Sequence, residues 1–171
     1  GWTDRSCSKL HNFINENNIP VATSFRRQDL FDHKNENFAG SFGTSVSPKL
    51  IDSTKKSDLI IVLGARLGEM TTQGYSIISP QDISKNIMHI HVDPNELNKV
   101  YNANVCINVG VNECCDKLEE LTLDNSNRWK EWRNELHKNY LQDSKPRRNR
   151  SHNNLSKIFE IVENKFPTSS I

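Results

Sequence analysis

The sequence predicts a Rossmann-like α/β domain with three layers. We expect a mostly parallel sheet with helices on both faces, followed by a helical C-terminal extension. Three short apolar segments carry this prediction, at residues 58–63, 87–92 and 105–109. The second and third are each followed by apolar residues at helical spacing. Strands that alternate with helices form parallel sheets with right-handed crossovers.

The elements before these segments follow from spacing and capping. Residues 3–18 carry apolar side chains at helical spacing, and a short strand is expected over 21–25. A polar loop that includes Gly43 comes next. Ser47 then precedes a proline at the first helical position, so a helix is expected over 48–56.

The segment 58–63 is the clearest strand, because it is apolar on both faces. That pattern is typical of a central parallel strand that helices cover on both sides. We expect a helix over 95–101 after the strand 87–92, and another over 112–123 after the strand 105–109.

The character of the chain changes after residue 123. Residues 124–127 read as a linker, 128–141 as an amphipathic helix, and 153–165 as a final helix. The intervening basic segment, 145–150, has no aromatic residue for base stacking. We therefore interpret it as a solvated loop between helices.

Composition argues against several classes of partner. The chain has 22 basic and 21 acidic residues, which gives no electrostatic reason to expect a nucleic acid or a membrane surface. No apolar run approaches the ~20 residues that span a bilayer. The four cysteines form no C-x-x-C pair and no signal-peptide pattern is present, so we expect reduced thiols and a cytoplasmic location.

His89 and His91 pose the question of a metal site. They alternate on one strand and so point to the same face, and Asp93 shares their parity. A structural zinc site needs four ligands and a catalytic one usually three. Because a strand in a parallel sheet packs under helices, we expect histidines that serve packing or hydrogen bonding, and no metal.

A ligand crevice is expected at the carboxyl ends of the strands, where open α/β sheets bind their ligands. Asp93 ends one strand and can either accept hydrogen bonds from a ligand or cap the helix that follows. Gly64 ends another and begins a turn that carries Arg66 and Gly68. Arg66 can bind a phosphate or pair with Glu69.

Catalytic motifs are not visible. The glycine turn is not G-x-G-x-x-G, and no acidic residue lies ~20 residues further on, so the usual NAD fingerprint is missing. There is no G-x-S-x-G elbow, and no cysteine has a recognisable histidine partner. We predict no catalytic residue in this chain.

Four stretches in order resemble a known family. They are IPV at 19–21, the glycine loop at 39–43, DLIIVLGAR at 58–66 and HIHVDPNE at 89–96. Together they resemble the central domain of thiamine-diphosphate-dependent enzymes of the acetolactate synthase type, over roughly residues 1–123. The resemblance implies a parent enzyme that acts on 2-keto acids or related substrates, with the cofactor as electron sink.

The resemblance also implies how the chain is divided. Residues 1–123 would form the central domain, whose first strand would lie upstream of Gly1. Residues 124–171 would be a linker and the helices that lead to a C-terminal domain, which binds the cofactor in this family. Thiamine diphosphate and Mg2+ would then be bound by other domains of the parent, and those domains would be partners of this chain. We further expect a homo-oligomer, because an unpaired sheet edge invites pairing.

The central domains of this family differ in what they hold, which leaves FAD, ADP or a purely structural bridge as alternatives. FAD-binding members carry a second arginine where this chain has Met70, and an acidic residue where it has Asn108. The resemblance therefore implies a cofactor site, if one exists, at a small set of residues. They are Gly64, Arg66, Gly68, Asp93 and Asn108.

Two other hypotheses remain open at this point. The chain could be an independent nucleotide-binding module unrelated to thiamine chemistry. It could also be a sirtuin-like deacylase, but it lacks the paired C-x-x-C zinc motifs of that class.

Overall fold

The computed structural model describes residues 1–82, 84–124, 127–145 and 155–166. The chain forms two compact units, Gly1–Tyr140 and Leu141–Ile171. The first unit contains parallel strands with helices against them, which confirms the predicted α/β class. The second contains a helix and lies in the segment for which a helical extension was predicted.

The helices and strands occupy most of the predicted positions. The helices are α1 (Asp4–Asn17), α2 (Pro48–Lys56), α3 (Glu69–Thr72), α4 (Val111–Leu118), α5 (Lys130–Asp143) and α6 (Leu155–Lys165). The strands are β1 (Val21–Thr23), β2 (Phe38–Ser41), β3 (Leu59–Leu63), β4 (Asn86–His91) and β5 (Val105–Asn108). The predicted loop at 145–150 and the start of the last helix at 153 lie largely outside the described residues.

In the described part of the chain the strand pairs are parallel and form two sheets. One sheet pairs β1 with β2, and the other has the order β3-β4-β5. In the larger sheet Leu63 lies beside Ile90, and His91 lies beside Asn108. The carboxyl ends of its three strands therefore meet at one edge.

Strand β2 occupies part of the segment for which a polar loop was predicted. Phe38 begins it and is completely buried. The ring of Phe38 stacks on His33, with centroids 4.3 Å apart, and meets Tyr140 edge to face at 4.8 Å. Burial of one large aromatic side chain thus outweighs the glycines and polar residues that favour a loop.

Strand β3 is not the covered central strand that its composition indicated. Among the described strands it has β4 as its single neighbour, and Leu59 and Ile61 are 45% and 52% exposed. An apolar segment predicts a strand, but it does not reveal how many neighbours the strand has.

The predicted helix over 95–101 is wrong. The chain makes a single 3-10 turn, Pro94–Glu96, and Asn98 then adopts a left-handed conformation with φ of 56°. A left-handed residue cannot continue a right-handed helix, and asparagine tolerates that conformation better than most residues. Helix α4 also ends earlier than predicted, at Leu118.

Helices pack against both faces of the strands. On one side, Phe13 and Ile14 of α1 form a cluster with Phe38, and α4 adds Leu118. On the other side, Leu50 of α2 packs with a cluster that contains strand residues of β1 and β2. The next residue of α2, Ile51, packs against a cluster built on β3 and β4. Helix α2 therefore contacts both sheets.

A buried arginine attaches helix α5 to the smaller sheet. Arg133 is 3% exposed, its Nη1 donates to the Glu36 carboxylate, and its Nη2 donates to Asn18 Oδ1 at 2.9 Å. Nearby, Trp129 Nε1 donates to the carbonyl oxygen of Asn17 at 2.6 Å. The guanidinium of Arg133 holds the pKa of Glu36 below its ordinary value of 4.5.

Replacing Glu36 should change how stability depends on pH. Because the folded chain lowers the pKa of Glu36, this group stabilises the fold above pH ~4.5 and the contribution is lost as pH falls through the folded pKa. Urea unfolding of Glu36→Gln between pH 6 and 3 should therefore show a shallower loss of stability than the natural chain shows. Glu131→Gln is the matched control, because it removes an exposed carboxylate from α5. Identical slopes for the natural chain and Glu36→Gln would contradict the assignment.

Two features favour glycine at position 64, namely its backbone conformation and the close approach of a neighbouring side chain. It has φ of 66°, and a Cβ at this position would lie 2.5 Å from Val111 Cγ1. Gly74 has nearly the same φ of 64°, but a Cβ added there would have nothing within 4 Å.

Gly74→Ala should cost about 1 kcal/mol of unfolding free energy, because alanine is strained in the left-handed conformation. Gly64→Ala should cost about 2 kcal/mol more because of crowding. Urea unfolding measures both, and equal losses would contradict the close approach.

Candidate functional site at the carboxyl edge of the larger sheet

Four of the five predicted site residues lie on the turns and strand ends at one edge of the β3-β4-β5 sheet. Gly64 follows β3, Asp93 follows β4, and Asn108 ends β5. Arg66 lies two residues beyond Gly64, in the turn that leads to α3. The parallel register of the three strands produces this arrangement. Whether these residues bind a ligand stays a prediction.

Gly64 connects the edge to helix α4 and to the beginning of the chain. Its N–H donates to the carbonyl of Ile90 at 2.8 Å, which extends the β3-β4 pairing by one residue. A Cβ added at this glycine would lie 2.5 Å from Val111 Cγ1 in α4 and 3.8 Å from the indole nitrogen of Trp2. The glycine therefore lets α4 and Trp2 approach the end of β3.

Arg66 extends from this edge into solvent. Its side chain is 70% exposed, and its Nε lies 3.7 Å from Glu96 Oε1. The expected partner Glu69 is not the residue it meets. Glu96 is 13% exposed and also accepts a hydrogen bond from Lys99 at 3.0 Å, which lowers the pKa of Glu96. Two cations thus surround one sheltered carboxylate, and Arg66 is the more loosely held of the two.

Asp93 acts as a cap, which was one of the two predicted roles. Its Oδ1 accepts from the backbone N–H of Asn95 and from the Asn95 side chain, both at 3.0 Å. These bonds favour the ionised form, so the backbone N–H of Asn95 in the first place lowers the pKa of Asp93. The charge of Arg66 contributes in the same direction.

Asn108 fastens the end of β5 to the end of β4. Its Nδ2 donates to the carbonyl oxygens of His91 at 2.9 Å and of Val92 at 2.8 Å. An acidic side chain has no proton to donate to these carbonyls at neutral pH. The amide at this position therefore contributes directly to the geometry of the edge.

Gly68 is the N-cap residue of the short helix α3. Its carbonyl accepts from the N–H of Thr72 at 3.1 Å and from Thr72 Oγ1 at 2.9 Å. An added Cβ would meet nothing within 4 Å, so the surface above Gly68 is open. Met70, in the same helix, is 44% exposed.

The two strand histidines are buried and hydrogen-bonded to the backbone. His89 Nε2 lies 3.0 Å from the carbonyl oxygen of Ala65. His91 Nδ1 accepts from the N–H of Asp93 at 3.1 Å. Both rings therefore help to shape the turns after β3 and β4. Within the part of the chain that the structure describes, no group of three His, Cys, Asp or Glu side chains is placed to hold a metal ion.

Three of the four cysteine thiols are poor candidates for nucleophiles. Cys115 is completely buried in α4, and burial raises its pKa to about 12. Burial also raises the pKa of Cys114 and of Cys7. Because the thiolate is the reactive form, these three groups are predominantly unreactive thiols at neutral pH.

The role of Glu96 was missed from the sequence. A signal was present, because Glu96 and Lys99 are three residues apart and could pair along a turn. That Arg66 joins them depends on the parallel pairing of β3 with β4, which local sequence does not specify.

Parallel strands with helices on both faces, and polar side chains gathered at the carboxyl edge, define a Rossmann-like domain. The chain belongs to the family of thiamine pyrophosphate enzyme central domains, whose model matches residues 1–118. It is also similar to the acetolactate synthase large subunit of Corynebacterium glutamicum, with 26% identity over 114 residues. That match covers 67% of this chain and 18% of the relative, so the chain corresponds to a small part of that protein. In the described ranges no helix has the length and apolar character needed to cross a bilayer.

Substitution of Asn108 tests how the edge is held together. Asn108→Ala removes two hydrogen bonds and should lower the unfolding free energy by about 1 kcal/mol. Asn108→Asp should cost more, because it places carboxylate oxygens against the carbonyls of His91 and Val92. Urea unfolding at pH 7 measures both values. An aspartate variant as stable as the natural chain would contradict the described contacts.

Proposed function

We propose that this chain is the central domain of a thiamine-diphosphate-dependent enzyme of the acetolactate synthase type, which acts on 2-keto acids or related substrates. The observation that carries the proposal is the family match over residues 1–118. The similarity to an acetolactate synthase large subunit supports the same class of reaction. In this proposal residues 1–123 form the domain and 124–171 lead to the next one. The parent is a cytoplasmic homo-oligomer.

The proposed role of the chain is that of a bridge between domains, without catalytic residues of its own. The described residues offer no cluster of ligands that fits Mg2+. Cys115 is completely buried, and burial raises its pKa to about 12, which disfavours the reactive thiolate. As the family resemblance implies, thiamine diphosphate and Mg2+ would be bound by other domains of the parent, and those domains would be the partners of this chain.

The isolated chain and its parent should differ completely in activity. The protein whose reading frame contains residues 1–171 should consume pyruvate only when thiamine diphosphate and Mg2+ are present. The 171-residue chain alone should consume none under the same conditions. In the family that the chain resembles, the C-terminal domain binds magnesium and diphosphate through a G-D-G motif followed by an asparagine. A reading frame without this motif downstream of residue 171 would contradict the proposal. So would pyruvate consumption by the isolated chain.

A nucleotide site at the carboxyl edge is the second candidate function, with ADP or FAD as the ligand. The observation that favours it is Arg66, whose side chain is 70% exposed and shares its carboxylate partner with Lys99. Such a group can bind a phosphate. The surface above Gly68 is open to a ligand as well. Asp93 and Asn108 fit less well, because Asp93 Oδ1 and Asn108 Nδ2 already form hydrogen bonds with the backbone.

Calorimetry distinguishes the two proposed roles of the chain, a bridge between domains and a nucleotide-binding site. If a nucleotide binds, ADP or FAD should bind the natural chain, and Arg66→Ala should weaken that binding at least tenfold. Lys99→Ala is the matched control, because it removes a neighbouring charge with the same partner, Glu96. If the chain is only a bridge, neither nucleotide binds, and Arg66→Ala leaves pyruvate consumption by the parent unchanged. Tight binding in a protein without thiamine-dependent activity would instead favour an independent nucleotide-binding module.

A further inference from the structure

We propose that the carboxyl edge of the β3-β4-β5 sheet is closed to nucleotides by side chains of this chain itself. ADP and FAD, which the family resemblance leaves as alternatives, therefore do not fit there. In Rossmann-like domains a nucleotide pyrophosphate lies against a glycine that follows a strand and against the N-terminus of a helix. The turns after β3 and β5 carry the glycines that meet this description, Gly64 and Gly110.

The space over Gly64, at the end of β3, is filled by Val111. A Cβ added to Gly64 would lie 2.5 Å from Val111 Cγ1 and 3.8 Å from the indole nitrogen of Trp2. Because non-bonded carbon atoms pack best at about 3.5–4.0 Å, an atom placed here would overlap the valine. The close approach that a glycine allows is thus already used by helix α4 and is not left to a phosphate oxygen.

The space over Gly110, the N-cap residue of α4, is filled by the carboxylate of Glu113. A Cβ added to Gly110 would overlap Oε2 of Glu113 and would lie 3.2 Å from its Cδ. Glu113 belongs to the first turn of α4, where the helix dipole favours a negative charge. A phosphate group at the same N-terminus would have to displace this carboxylate or approach it against charge repulsion. The protein's own anion therefore occupies the position that a nucleotide phosphate would need.

Val111 and Glu113 are held in place by the residue between them. Asn112 Nδ2 donates to the carbonyl oxygen of Gly1 at 3.0 Å, and Asn112 Oδ1 accepts from Thr3 Oγ1 at 3.3 Å. These two hydrogen bonds fasten the start of α4 to the residues that lead into α1. The first turn of α4 is thus fixed by a second element, and the filling of the edge is part of the folded structure.

The exposed arginine at this edge does not by itself make a nucleotide site. The side chain of Arg66 is 70% exposed, and its Nε lies 3.7 Å from Glu96 Oε1. A phosphate held by Arg66 alone would form a solvent-exposed ion pair, and such pairs are weak. Asp93 Oδ1 and Asn108 Nδ2 are already hydrogen-bonded to the backbone. Arg66 is therefore a surface cation that lacks the glycine and the helix N-terminus that would complete a nucleotide site.

Calorimetry of the 171-residue chain with ADP and FAD tests the proposal. Both should bind the natural chain with a Kd above about 1 mM. The double variant Val111→Ala with Glu113→Gln removes the overlapping methyl groups and the competing charge, so it should bind ADP with a Kd of about 0.1 mM or lower. Val105→Ala with Glu120→Gln is the matched control, because it removes the same groups at the start of β5 and beyond the end of α4. The control should bind ADP no better than the natural chain.

A second measurement tests the filling of the edge without a ligand. In the natural chain, Gly64→Ala should lower the urea midpoint more than Gly74→Ala does, because the added Cβ overlaps Val111. In a Val111→Ala background the nearest remaining side-chain atom of residue 111 is its Cβ, 3.9 Å from the added Cβ. Gly64→Ala and Gly74→Ala should then lower the midpoint equally, since the coupling between the two contacting positions has been removed.

Three results would each overturn the proposal. The first is binding of ADP or FAD to the natural chain with a Kd well below about 1 mM. The second is a folded double variant that binds ADP no better than the natural chain. The third is a Gly64→Ala effect that stays larger than that of Gly74→Ala in the Val111→Ala background. The proposal rests on the geometry of the edge, and the pyruvate assay on the parent measures thiamine-dependent activity separately, so the failure of one is distinguished from the failure of the other.

Discussion

The parallel pairing of β4 with both β3 and β5 is the constraint on which the rest of the structure depends. Strand β4 is the only one of the described strands with a neighbour on each side. Its register aligns the ends of all three strands. That alignment brings Arg66 to Glu96, places Asn108 against the end of β4, and lets α4 and Trp2 meet at Gly64. A shift of one residue in either pairing would separate each of these contacts.

Most of the polar residues at this edge form hydrogen bonds with the backbone, which leaves fewer of their atoms for a ligand. Parallel strands end with unpaired N–H and C=O groups, and these groups need partners. Asp93 accepts from a backbone N–H as a cap, and Asn108 donates to two carbonyl oxygens at the end of β4. Arg66 is the member of the set whose polar atoms are largely in water. Among the predicted site residues, Arg66 is therefore the one whose cationic side chain is available to an anion.

The sequence allowed the fold class, the family resemblance and most strand positions to be predicted. Apolar runs ended by glycine or aspartate marked β3 and β4, and Ser47 with Pro48 marked the start of α2. Prediction failed where a distant partner decides the outcome. Phe38 converts a polar segment into β2 by burying its ring against His33 and Tyr140. The exposure of β3 and the pairing of Arg66 with Glu96 depend on the order of strands, which local patterns do not contain.

The central claim, that β4 organises the domain, is tested most directly by amide exchange along that strand. The account predicts that the amides of Ile87, His89 and Ile90 exchange only through global unfolding. Their protection free energies should then equal the unfolding free energy measured in urea. Exchange of these amides well below that limit, in a chain that remains folded, would contradict the claim.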